Sequence, residues 1–287
     1  MSHRPVSEPH SGGVSVRSGE CRMKRQLIAL LVVAALMPWP LLLTHGNWWA
    51  FILVTAAILA ALRLLFGREW RNDAGLGLPP GHALLAVAAF AAVATASTFL
   101  LDHVYAAAGL RADAPAMEGQ IGFLFQAFNE EIFYRALMIG LLIPFLPSAS
   151  AISLGLAFLF AAAHFLMYRF TNPMHWTLSI AALATLFLAG VTMNNLYLAF
   201  RHIGFSWAFH AGWNAVWLPA AIYDAATGQR LREPQIFDRV LGSPALVAAA
   251  GAAAVLSLAL LTGRGRHMSL DRLRNRRAGP PCRRRRP

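Results

Sequence analysis

Apolar residues in this chain run in blocks of about twenty, and the breaks between blocks fall at Pro, Gly and charge. A helix rising about 1.5 Å per residue needs roughly 20 apolar residues to cross a hydrocarbon core of about 30 Å. The blocks therefore predict spans at 26–43, 48–66, 81–109, 121–143, 149–168, 174–200, 205–227 and 245–262. Pro38, Trp39 and Pro40, followed by Trp48 and Trp49, fit an interfacial exit and re-entry, because indole rings favour the headgroup level. Residues 67–80 read as a polar turn, Pro144 and Pro147 close the fourth block, and 229–239 form a charged loop before the last span. The pattern predicts an all-α polytopic membrane protein of about eight transmembrane helices, with its site inside the helix bundle.

Composition strengthens this reading. Hydrophobic residues make up 57% and charged residues 13% of the 287 positions, against about 25% charged in an ordinary soluble domain. The net charge of +12 resides in the two ends, since the region between them balances. Three regions follow: a basic tail at 1–25, a multi-span membrane domain at 26–262 with its motif core at about 120–217, and an Arg-rich tail at 263–287. An even number of spans with basic ends places both termini in the cytoplasm, against anionic lipid, as the positive-inside rule requires. Arg230, Arg232 and Arg239 then lie outside, against that rule. No nucleic acid is expected, because no aromatic residues interleave with the basic run to stack bases. Cys21 and Cys282 lie in opposite tails and form no framework. The excess of Arg over Lys, with Ala-rich spans, points to a GC-rich bacterial source and its inner membrane.

The block at 121–143 departs from the pattern, because Asn129, Glu130, Glu131 and Arg135 interrupt it. An ionised side chain at the centre of a spanning helix costs roughly 2.5–3.5 kcal/mol on insertion scales, so two carboxylates and an Arg there imply a site. Glu131 and Arg135 share a face at i, i+4, and Glu130 is turned about 100° away. On the next block Phe160 and His164 share a face, and near the start of the 205–227 block His210 and Asn214 do. Such a set suits hydrolysis: a carboxylate and an imidazole to handle the protons of a water, and N–H groups to bind an oxyanion. Each residue also has a plainer reading. Glu131 and Arg135 suit a buried ion pair, the two His suit satisfied core imidazoles, and Asn214 suits interhelical bonding. His45, His82, His175 and His202 fall at span ends, where a wet imidazole is ordinary. Asn194, Asn195 and Asp224 carry no assigned role.

Taken in order, Glu130-Glu131-x-x-x-Arg135, Phe160-x-x-x-His164 and His210-x-x-x-Asn214 resemble the three motifs of the CAAX protease and bacteriocin-processing family of intramembrane proteases, also called the abortive infection family. The resemblance covers roughly 120–217. It implies a glutamate-dependent endopeptidase acting on a membrane-attached protein or peptide, near a C-terminus or in a precursor. By the same resemblance Glu130 and His164 activate the water, His210 and Asn214 form the oxyanion hole, and Arg135 with Glu131 holds the helix and tunes the site. The resemblance is compatible with a metal-free reaction, and no cofactor is assigned. The resemblance also admits a zinc ion held by Glu130, His164 and His210, although the chain has no H-E-x-x-H helix. Two other classes use the same residues: a transporter or channel relaying protons or ions, and a non-catalytic immunity or sorting scaffold.

Overall fold

The computed structural model describes residues 27, 48–77, 79–113, 117–143, 145–146, 148–171, 177–217 and 221–265. The 1–25 tail, all but one residue of the block at 26–43, His45, His175 and the tail beyond 265 lie outside the described residues.

Among the described residues the longer helices and one short ribbon follow in order: α1 (Trp48–Phe66), α2 (Pro80–Ala107), β1 (Leu110–Ala112), α3 (Met117–Glu131), α4 (Ala149–Leu166), α5 (Ile180–Phe200), α6 (Gly204–Trp217), β2 (Ile222–Asp224), α7 (Glu233–Leu241) and α8 (Pro244–Gly265). Among the described residues four helical stretches are long and apolar enough to cross a membrane: Pro80–Ala107, Ala149–Phe170, Ile180–Phe200 and Pro244–Gly263. The expected eight spans are thus matched in part. The 205–227 block is not one continuous span. Its helix, α6, has 14 residues, about 21 Å at 1.5 Å per residue, which falls short of the hydrocarbon thickness. Part of its remaining sequence forms β2, which pairs antiparallel with β1, Leu110 opposite Asp224. The block at 174–200 also changes, because α5 begins only at Ile180, where the Ser179 hydroxyl accepts from the Ala182 N–H. The 229–239 loop contains α7, whose first turn carries Pro234.

Close helix contacts explain the bundle's centre. α5 crosses α4 where a Cβ on Gly190 would lie 3.0 Å from the Ala157 Cα, so the two backbones meet with almost no side chain between them. Asn194 and Asn195 then bond to opposite neighbours: the Asn194 amide donates to the Ser153 carbonyl on α4 at 2.8 Å, and the Asn195 amide donates to the Ser257 hydroxyl on α8 at 3.1 Å. These adjacent polar residues are interhelical ties.

α6 lies against α2 with the same economy. A Cβ on Gly212 would come within 2.9 Å of the Phe90 carbonyl oxygen and 3.1 Å of the Val93 side chain. The two helices run parallel, since His82 meets His202, Phe90 stacks on Trp207 and Val93 meets Gly212 in ascending order. At the end where α2 and α6 begin, the chain reverses tightly: Arg201 has φ 62°, and the Gly75 carbonyl accepts from the Ile203 N–H at 2.9 Å. His202 there is 3% exposed and sits 3.1 Å from a His82 ring nitrogen. The expected wet imidazole is therefore buried, because the Gly204 N–H and the ring of Phe205 enclose it.

At the opposite end α7 is fastened by several polar contacts. The Ser179 N–H donates to the Asp238 carboxylate at 2.7 Å, the Thr185 hydroxyl donates to the Leu241 carbonyl at 2.7 Å, and the Tyr168 hydroxyl donates to Glu233 at 2.9 Å. Arg239, one of the basic residues that broke the charge rule, pairs with Asp224 at 3.1 Å. Residues Phe237 and Leu241 of this helix close one end of an internal cavity.

Candidate active site

The site grows from a change of helical pitch. α3 is a regular helix as far as Glu131, and the next eight residues, Ile132–Ile139, form a π-helix before the regular turn Gly140–Leu142. Such wide turns often accompany functional sites, because they redirect side chains without ending the helix. Here every residue of the wide stretch is buried, Arg135 included. Its guanidinium lies 3.1 Å from the Glu131 carboxylate, and both side chains are 0% exposed. The Tyr134 and Phe160 rings flank the cation at 5.6 Å and 5.2 Å, so part of its lost hydration is replaced by aromatic faces.

Glu131 has a second partner. The same carboxylate oxygen lies 2.9 Å from Nδ1 of His210. A carboxylate paired with Arg accepts only, so Nδ1 carries the proton and donates to Glu131. This fixes the ring and aims Nε2 at Glu130, whose Oε2 is 3.8 Å away. The other oxygen of Glu130 accepts from the Gln126 amide at 3.3 Å. One carboxylate thus orients His210, and the other keeps an oxygen with no hydrogen-bond partner among the described residues. The helical spacing separates the two Glu in angle, but it does not show that the ion-paired one also reaches α6.

His164 is set by its own helix. Its Nδ1 lies 2.9 Å from the Phe160 carbonyl and donates to it, leaving the Nε2 lone pair free. Phe160 sits between the two histidines, with ring centroids at 4.6 Å from His164 and 6.3 Å from His210. Asn214 follows His210 by one turn and is buried, and its side chain makes no hydrogen bond to any described residue.

Glu130, His164, His210 and Asn214 all line one cavity of about 230 Å³, although they come from three helices. Glu131 and Arg135 stand behind this set and reach it through His210. The cavity is otherwise mostly apolar, walled by α2, α5, α7 and α8, and Trp213 contributes to its lining. Low polarity around a few aimed donors and acceptors strengthens each of them.

No three His, Cys, Asp or Glu side chains among the described residues gather closely enough to hold a metal ion. Engagement of Nδ1 leaves Nε2 of each histidine available, so it is the spacing among the described residues, and not the donor chemistry, that keeps Glu130, His164 and His210 from forming the zinc set that the resemblance admits.

Two cavity residues escaped the sequence reading. Gln126 precedes Glu130 by one turn, and its position at i−4 in an apolar run is a signal that a search for titratable groups passes over. Ser97 lies on α2, outside every motif.

The family model for type II CAAX prenyl endopeptidase Rce1-like proteins matches residues 113–216. That stretch contains all three motifs and is consistent with the resemblance they carry. α1, α2, α7 and α8 lie outside it. No curated protein and no solved structure matches the chain.

Proposed function

With residues 113–216 as an Rce1-like core, we propose that this protein is an intramembrane endopeptidase that hydrolyses a peptide bond of a membrane-attached protein or peptide precursor, near its C-terminus or at a processing site. The observation that carries the proposal is the convergence of Glu130, His164, His210 and Asn214 on one cavity. A buried ion pair needs none of the last three.

In the proposed reaction a water beside Glu130 attacks the carbonyl carbon, while its proton passes to the free Glu130 oxygen or to Nε2 of His164. The carbonyl oxygen becomes an oxyanion and receives the Asn214 amide N–H. His210 assists as a donor through Nε2 when both ring nitrogens carry protons, its charge matched by Glu131 behind it. The stored proton then moves to the leaving nitrogen, the C–N bond breaks, and a new carboxylate and a new amine depart. Glu131 and Arg135 act through His210, as positioning residues.

The same reading takes the chain as a multi-span protein of a bacterial inner membrane with both termini cytoplasmic. The tails rest on anionic lipid.

The test is a profile of protein C-termini in membranes of the natural host, expressing either the wild type or Glu130→Gln at matched abundance. New C-termini that appear only with the wild type are expected. Identical profiles from two folded proteins would overturn the protease reading.

A further inference from the structure

We infer that Ser97 on α2 is a substrate-positioning residue whose hydroxyl hydrogen-bonds the main chain of the segment being cleaved. This rests on the endopeptidase reading and extends it to a helix that lies outside the family match.

Ser97 is 5% exposed and lines the cavity. A buried serine on a helix usually satisfies its hydroxyl by bonding back to a carbonyl one turn earlier. Its neighbour Thr98 does so, donating to the Ala94 carbonyl at 3.0 Å, and Thr185 on the facing wall is occupied with the Leu241 carbonyl. The Ser97 side chain makes no hydrogen bond to any described residue. The rest of the wall supplied by α2 is apolar, formed by Val93, Ala96 and Leu100. The hydroxyl oxygen is open to the cavity and not sealed from it, so a water can bond it until a polar group of a bound strand takes that place.

Its level in the bundle matches that use. α2 and α6 run parallel and touch at Val93 and Gly212. Ser97 lies four residues beyond Val93 and Asn214 two beyond Gly212, so at 1.5 Å per residue their heights differ by about 3 Å. An extended peptide rises about 3.3 Å per residue. A scissile carbonyl at Asn214 therefore brings a neighbouring backbone group of the same strand to the height of Ser97. A strand drawn into a largely apolar cavity leaves its own N–H and C=O groups without water, which makes such a partner valuable.

The experiment uses the full chain with Cys21 and Cys282 replaced by Ser, in host membranes, with N-ethylmaleimide as the probe. Alkylation of Ser97→Cys fills the space at the hydroxyl and is expected to suppress the new C-termini at least about tenfold, as loss of a required substrate contact would. Thr98→Cys, on the exposed side of the same helix, is expected to keep them after alkylation. With a synthetic peptide spanning the identified cleavage site, Ser97→Ala is expected to raise KM about fivefold and leave kcat within about twofold, the size of one neutral hydrogen bond. Wild-type KM in Ser97→Ala, together with full cleavage by alkylated Ser97→Cys, would overturn this assignment alone. Absence of new C-termini from the unmodified wild type would overturn the protease reading and the assignment with it.

Discussion

Removing half of the Glu131–Arg135 pair should be far worse than removing all of it. The charges are 3.1 Å apart and both side chains are 0% exposed. At an effective dielectric near 20, unit charges at that distance attract by roughly 5 kcal/mol. Stripping water from both ions costs a comparable amount, so the intact pair contributes little net stability. Arg135→Met keeps the desolvation of Glu131 and deletes its counter-charge, an expected loss of about 3–5 kcal/mol. Glu131→Gln with Arg135→Met removes both charges, preserves the volume, and leaves an amide oxygen to accept from Nδ1 of His210. That double variant should lie within about 1–2 kcal/mol of the wild type. The assay is denaturant unfolding of the purified full chain in mixed micelles at all four corners of the cycle. If Arg135→Met were as stable as the wild type, or the double variant no better than Arg135→Met, the ion pair would not be what holds Arg135 in place.

Gly212→Ala introduces a Cβ 2.9 Å from the Phe90 carbonyl oxygen, a backbone atom that moves only with α2. A loss of about 1–3 kcal/mol in the same unfolding assay is expected; Gly155→Ala, where a Cβ meets nothing within 4 Å, should instead be neutral or stabilising. Outside the four candidate membrane spans, N–H donation from Thr227 and the Arg239 guanidinium hold the Asp224 carboxyl below the usual aspartate range. The folded-state value is depressed, so the support it gives the 224–227 turn is present above the ordinary aspartate value and is lost as pH falls through the folded one. Hydrogen exchange at the Ala226 and Thr227 amides, corrected for intrinsic rate, should lose protection only in that acidic window. Loss beginning near neutrality would exclude Asp224 as the group responsible.

The sequence by itself determined the chemistry and its angular placement along each helix. Block lengths marked the apolar helices, and i, i+4 spacing put Glu131 with Arg135, Phe160 with His164, and His210 with Asn214. The motifs were readable because a charge in an apolar run is expensive and therefore conspicuous. Tertiary structure decided how the helices are turned against one another. That His210 is held by Glu131 and only faces Glu130 depends on how α6 is turned against α3. The approach of α2 at Gly212 brings Ser97 into the same cavity, and the contact of Gly190 with Ala157 sets α5 against α4. The block at 205–227 gave way to a short helix and a strand, since pairing of β2 with β1 satisfies backbone groups there. Periodicity fixes where a side chain points on its own helix, whereas the rotation and height of one helix against the next come from which small residues let their backbones meet.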